Sequence, residues 1–307
     1  MSKDSSASAN PVKYRPFLKW AGGKFRLTEE INKLLPKDKT CLIEPFVGAG
    51  SVFLNTDFER YVLIDINPDL IYLFNIVKQD VQHYIDACKP IFFHPQANTA
   101  DYYYSRRTEF NLSKNIFERA VLFLYLNRYG FNGLCRYNAK NEFNVPFGSY
   151  KTHYFPETEL RYFAQKAQRA VFICADFQQA FSMISDNSVI YCDPPYAPLK
   201  QNSNFTSYAG NEFSLSHQQN LAQLAKHTAL EHKIPVLISN HDTKFTREIY
   251  KGAKIKRLKV QRSISQSSHK RIKVNELIAV FSHKKSGVMD KMVAIQPITR
   301  SCGQNGC

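Results

Sequence analysis

The tetrapeptide Asp193-Pro194-Pro195-Tyr196 places a carboxylate, rigid backbone carbonyls and an aromatic ring side by side. Such a set can grip an exocyclic amine on a flat base. The ring stacks on the base, while the carboxylate and a carbonyl accept the amine hydrogens. The apolar run 188–192 ahead of it predicts a buried strand. Neither proline can extend a sheet, because both lack an N–H and have a fixed φ. Asp193 is therefore expected at a strand's carboxyl end, where open α/β sheets bind ligands. A lone motif of this kind is also compatible with an ordinary proline turn, so its weight depends on what else the chain carries.

Three further groups of residues could hold a cofactor. A predicted strand at Cys41 leads into Glu44-Pro45-Phe46-Val47-Gly48-Ala49-Gly50-Ser51, and glycines there let a ligand approach the backbone. The dinucleotide spacing GxGxxG is absent, so no pyrophosphate is implied. The next strand ends in Asp65, 21 positions after Glu44. An acid so placed can accept hydrogen bonds from ribose hydroxyls. Its competing role is a helix N-cap, which Asn67 before Pro68 fills better. Together these suggest an adenosine-containing cofactor without a diphosphate. Upstream, Trp20-Ala21-Gly22-Gly23-Lys24 could cradle an anion. It lacks Walker A spacing, so a carboxylate suits it better than a triphosphate. Trp20 could equally pack in the core.

The elements that must position these groups follow from apolar patterning. Strand-like runs lie at 41–47, 61–66, 171–175, 188–193, 235–239, 256–263 and 276–281. Helical patterns lie at 26–35, 68–78, 156–168, 176–183, 216–232 and 243–250. Their alternation predicts an α/β chain with a mostly parallel sheet. Between about residues 80 and 155 it stops. Helical patterns at 100–111 and 116–127 run into a Gly/Asn/Pro-rich loop that mixes cations, aromatics and amides.

The net charge of +15, from 41 Lys and Arg against 26 Asp and Glu, favours a polyanionic partner. An aromatic content of 13% tilts this toward nucleic acid, because bases stack on rings. No segment reaches the roughly 18 apolar residues of a membrane span, and the polar N-terminus is not a secretory signal. Seven scattered cysteines form no CxxC pair and no zinc spacing; they read as thiols in a reducing compartment, with Cys302 and Cys307 in a Gly-rich tail.

PFLKWAGGK, EPFVGAGSVFLN, DINPDLI and YCDPPY, in that order, resemble the DNA adenine methylase (Dam) family, as do NRYGFNGLCRYN, EFNVPFG and SNHDT. The order is that of the family's circularly permuted class. The resemblance covers about residues 15–281. It implies a Rossmann-like class I methyltransferase sheet at 15–80 and 156–283, with an inserted target-recognition domain at 81–155. Residues 1–14 and 284–307 are then a disordered lead and a flexible tail. The implied cofactor is S-adenosyl-L-methionine, held by Trp20, Lys24, Gly48, Gly50, Asp65 and Asp193, with Phe177 as a stacking face and Asp176 beside it. The implied partner is double-stranded DNA, bound by a monomer in the cytoplasm of a bacterium or from a phage, with no metal and no membrane.

The implied target is GATC, methylated at adenine N6. Lys19 matches the reader of the first guanine, and Leu134, Arg136 and Pro146 match readers of the distal bases. Asn132, Asn138, Tyr150 and Lys151 match further DNA contacts. Phe131 and Ser149 stand where relatives often carry Tyr and Arg, which predicts altered specificity and weaker phosphate binding. Asp193, Pro194 and Tyr196 form the implied catalytic set, acting on a base flipped out of the duplex. The segment 199–210 is a candidate cover, and Lys151, Arg262, Lys270 and Arg271 are candidate phosphate contacts. Rival readings keep the chemistry on RNA or a protein glutamine, or make the chain a silent DNA-binding module.

Overall fold

A computed structural model of the chain describes residues 13–152, 154–199, 213–261 and 273–283. The lead through residue 12, the segment 200–212, the cations Arg262, Lys270 and Arg271, and the tail with Cys302 and Cys307 lie outside the described residues. Seven strands form one sheet: β1 (Cys41–Glu44), β2 (Arg60–Asp65), β3 (Ala170–Cys174), β4 (Ser188–Cys192), β5 (Val236–His241), β6 (Lys254–Gln261) and β7 (Lys273–Phe281). Their order is β3-β2-β1-β4-β5-β7-β6. β1 to β5 pair in parallel, and only β7 runs antiparallel to its neighbours. This is a Rossmann-like sheet, as the sequence predicts. The order reverses between β1 and β4, so a crevice is expected outside their carboxyl ends.

Period-two alternation assigns the strand residues to two cores. Leu42, Tyr61, Leu63, Val189, Tyr191 and Leu237 face one, while Ile43, Ile64, Ile190, Cys192, Val236 and Ile238 face the other. The helices among the described residues are α1 (Thr28–Leu34), α2 (Ser51–Leu54), α3 (Pro68–Gln79), α4 (Val81–Phe92), α5 (Ala100–Leu112), α6 (Ile116–Tyr129), α7 (Glu157–Ala167), α8 (Phe177–Ala180), α9 (Leu215–Glu231) and α10 (Lys244–Ile249). The first core joins the sheet to α3 and α7, and continues without a break into α4, α5 and α6. The predicted insert thus shares the sheet's core. The second core packs α8 and α9 on the opposite face.

Local sequence explains most of these boundaries. β1 stops at Glu44, short of the predicted Val47, because Pro45 cannot donate to the ladder. Asn67 accepts a hydrogen bond from Leu70 N with Pro68 at the first helical position, and so starts α3. Asn115 caps α6 by accepting from Phe117 N and Glu118 N. Helix α4 contains Pro90 and carries no clear sequence signal. An interior proline costs about 3 kcal/mol, yet Tyr84, Ile85, Cys88 and Phe92 are all buried from this helix. At about 1.5–3 kcal/mol for each large side chain, burial outweighs the proline. Among the described residues no helix is long and apolar enough to cross a membrane. Nor do three or more His, Cys, Asp or Glu gather there as a metal site.

Candidate active site

Asp193 follows β4 directly, beside the end of β1, as the sequence predicts. Its Oδ1 lies 2.8 Å from Lys24 Nζ, and the Lys24 side chain is only 7% exposed. Lys24 Nζ also donates to Gly22 O at 2.7 Å and lies 4.6 Å from the centre of the Tyr196 ring. The positive φ of Gly22, +78°, makes the turn that brings the lysine inward. Burial raises the Asp193 carboxyl above the ordinary carboxylate range, while the Lys24 charge opposes the rise. Glu44, at the end of β1, is buried beside it. Its Oε1 has no hydrogen-bond partner among the described residues. Burial first, then the Asp193 charge, pushes the Glu44 carboxyl well up.

The glycine turn directly follows β1. Gly48 N donates to Asp65 Oδ2 and Asn67 N to Asp65 Oδ1, both at 3.0 Å. Burial raises the Asp65 carboxyl, and these amides work against the rise. A Cβ on Gly48 would stand 2.9 Å from Trp20 Nε1, so the indole lies directly against this turn. Gly50, at φ +74°, precedes α2. Asp176 caps α8, its Oδ1 accepting from Gln178 N at 2.9 Å. Phe177 is buried, stacked on Phe46 at 5.5 Å and met edge-on by Phe213 at 5.3 Å. Contacts therefore link Trp20, Gly48 and Asp65 at the glycine turn, and Lys24, Asp193 and Tyr196 at the end of β4; Gly23 N donates to Trp20 O at 3.2 Å between the two groups, and Phe46 connects Phe177 to the glycine turn.

The segment 195–197 is clamped by residues that carried no role in the sequence reading. Gln218 Nε2 donates to Pro195 O at 2.7 Å, and Asn240 Nδ2 donates to Gln218 Oε1 at 2.9 Å. Asn240 Oδ1 accepts from Ala197 N at 3.0 Å, and its Nδ2 also donates to Tyr250 OH at 2.9 Å. His241 Nδ1 lies 2.7 Å from Ala197 O. The Tyr196 hydroxyl donates to Glu276 Oε2 at 3.1 Å, and its ring meets His241 edge-on at 4.8 Å. The available signal was polar residues, Ser239-Asn240-His241, ending an apolar strand pattern. Replacing Asn240 with alanine strands several buried partners at once. The expected cost is about 2–4 kcal/mol, read as a lower urea midpoint at unchanged slope. An unchanged midpoint would refute the clamp. Cys192 is fully buried in β4. Burial holds its thiol well above the ordinary range, which suits packing rather than nucleophilic attack.

The residues matched to DNA contacts gather on the chain after α6. Antiparallel bridges Gly130↔Phe147 and Tyr137↔Phe143 fold residues 130–148 into a hairpin. Phe131, Asn132, Arg136 and Pro146 are exposed on it, and Lys151 is exposed beyond it. Leu134 is half-buried against the first core. Arg136 Nε donates to Asn144 Oδ1 at 2.7 Å. Asn138 Oδ1 accepts from Lys140 N and Glu142 N in the hairpin's turn. Ser149 is exposed, with φ +47°. Lys19 joins this group through its backbone, which exchanges two 2.8 Å hydrogen bonds with the buried Asn127 amide. Its Nζ donates to Arg128 O at 2.9 Å and lies 3.7 Å from the Tyr150 ring centre. Burial, then the Arg128 charge, lowers the Lys19 pKa to about 8.

Known proteins match this sequence over most of the chain. The profile of the D12 class N6 adenine-specific DNA methyltransferases matches residues 20–264. A DNA adenine methylase of Haemophilus influenzae is 69% identical over 271 residues, covering 88% of this chain and 95% of its own. That of Escherichia coli K12 is 58% identical over 255 residues, covering 83% and 91% respectively. A DNA adenine methylase of Vibrio cholerae is 57% identical over the same length. The chain belongs to the D12 class of N6 adenine-specific DNA methyltransferases.

Proposed function

We propose that this site-specific adenine DNA methyltransferase acts on GATC in duplex DNA, taking its methyl group from S-adenosyl-L-methionine. The meeting of Lys24, Asp193 and Tyr196 at the sheet's switch point carries the reading. Lys24 Nζ, 2.8 Å from Asp193 Oδ1, is a nitrogen donor standing where the carboxylate would accept from an adenine amine. Tyr196 offers the adjoining ring, held by Glu276 at its hydroxyl.

Two features of the pocket suit the proposed cofactor. The Glu44 Oε1, without a partner among the described residues, offers a buried acceptor to an ammonium group. The turn at Gly48, against the Trp20 indole, leaves no room for a Cβ. Trp20, Lys24, Gly48, Gly50, Asp65, Asp176 and Phe177 would hold the cofactor alongside Asp193. When bound, it supplies an electrophilic methyl on a sulfonium sulfur.

The chain's own residues then present the acceptor. An adenine inside a duplex is out of reach, so the base is flipped out and stacked on Tyr196. Asp193 and the Pro194 carbonyl accept the two N6 hydrogens. This draws electron density onto nitrogen and aims its lone pair for direct in-line transfer. The burial-raised Asp193 carboxyl is a stronger acceptor for the proton that N6 loses as the new C–N bond forms. Lys19, Phe131, Asn132, Leu134, Arg136, Asn138, Pro146, Tyr150 and Lys151 form the proposed DNA face. Arginine can bridge guanine acceptors, and apolar atoms can read a thymine methyl.

The test is methylation of GATC and scrambled duplexes, with and without S-adenosyl-L-methionine. It is read by methylation-sensitive endonucleases and by mass spectrometry of the nucleosides. The expected product is N6-methyladenine, dependent on the donor and confined to GATC. Equal rates on scrambled duplexes would reject the target assignment.

A further inference from the structure

We infer that Tyr137 and Asn67 brace the base-reading hairpin to the turn between β2 and α3 that Asp65 opens, so that DNA recognition and cofactor binding report to one another. The inference deepens the reading above, in which Asp65 faces the cofactor and the hairpin faces the bases. Tyr137 is a positioning residue here; it is assigned no contact with DNA.

The hairpin's inward side chains are tied to one short segment. Cys135 Sγ accepts from Asn67 Nδ2 at 3.3 Å, and the Tyr137 hydroxyl donates to Asp69 Oδ2 at 2.7 Å. Their neighbour Arg136 is exposed. That is the alternation expected of an extended strand.

The other end of the segment is equally constrained. Asp65, Asn67 and Asp69 are alternate residues, and each is fixed by different partners. Asp65 takes the Gly48 amide at 3.0 Å. Asn67 N donates to Asp65 Oδ1 at 3.0 Å, while Asn67 Oδ1 caps α3. Asp69 is held in a two-pronged pair by Arg119 of α6, with both bonds at 2.9 Å. Asp69 is buried, so its charge cannot swing out to water without losing these partners. A shift of the hairpin against the bases, passed on through Tyr137, therefore displaces the segment that holds Asp65 and, through it, the glycine turn. Linkage is reciprocal: whatever cognate DNA does to cofactor affinity, the cofactor does to cognate DNA affinity.

Tyr137→Phe tests the brace, since it keeps the ring that meets Phe143 edge-on at 5.8 Å and removes only the hydroxyl. Tyr84→Phe is the control. It removes a buried hydroxyl bonded to Ala120 O at 2.9 Å in the same core, a bond that involves neither Asn67, Asp69 nor the hairpin. Two quantities are read for wild type and both variants. One is the ratio of kcat/KM on GATC to that on a duplex with one base changed. The other is the ratio of sinefungin Kd values measured with those duplexes. Wild type is expected to discriminate on both, and Tyr137→Phe to lose about tenfold of each ratio while kcat on GATC is largely kept. Tyr84→Phe is expected to keep both ratios. Unchanged ratios in Tyr137→Phe, or equal losses in both variants, overturn the brace. A wild type that shows no preference overturns the base-reading assignment itself, and the brace with it.

Discussion

Replacing Asp193 with alanine is expected to reduce methyl transfer by about 10³-fold, while leaving most duplex affinity in place. Among the described residues, this carboxylate is the acidic partner of Lys24. Without it the amine loses its strongest acceptor, and a buried ammonium loses its counter-charge. Asp193→Asn is expected to fall nearly as far, because its amide NH₂ presents hydrogens where the reaction needs lone pairs. Labelled methyl incorporation measures the first effect and fluorescence anisotropy of a duplex the second. Turnover close to wild type would refute the assigned role. The wild-type enzyme should also lose activity as pH falls through the Asp193 pKa, because a protonated carboxyl accepts poorly. Burial raises that pKa, so the acidic limb should lie above the ordinary aspartate value of about 4.

Gly133→Ala is expected to be the most damaging single methyl group on the recognition side. Gly133 has φ +61°, and a Cβ there would stand 2.1 Å from Lys19 Cβ. No rotamer relieves a clash between two Cβ atoms, so the backbones must separate. That breaks the seam in which Asn127 bonds both Lys19 and Gly133 O. The expected loss of duplex affinity is about 10²-fold, combining backbone strain and overpacking of roughly 1–3 kcal/mol each. Gly252→Ala is the matched control: its φ is +99°, but nothing lies within 4 Å of a Cβ there. It should show the strain alone, as a modest stability loss with normal DNA binding. Equal DNA affinity in the two variants would contradict the seam.

The sheet was legible in the sequence because apolar runs bounded by turn formers alternate with helical patterns, and the end of β4 just before Asp193 is dictated by the prolines. Asn67 as the cap of α3 was legible for the same local reason. Helix α4 was not, because Pro90 argues against a helix that tertiary burial then enforces. Contacts made across the sheet were hidden as well. Lys24 meets Asp193 only because the chain order reverses between β1 and β4. Glu276 meets the Tyr196 hydroxyl only because β7 pairs antiparallel beside β5. Gln218 reads as one more polar residue of α9, yet it is 1% exposed and holds Pro195 O. Gly133 lies within the run NRYGFNGLCRYN, but nothing in that run assigns it a role; its importance lies in what passes over it.

A crystal structure with sinefungin and a GATC duplex tests the central claim most directly. The expected result is an extruded adenine stacked on Tyr196, its N6 within hydrogen-bond distance of Asp193 and the Pro194 carbonyl, with Lys24 withdrawn from the carboxylate. A flipped base bound elsewhere, with Lys24 still paired to Asp193, would contradict it.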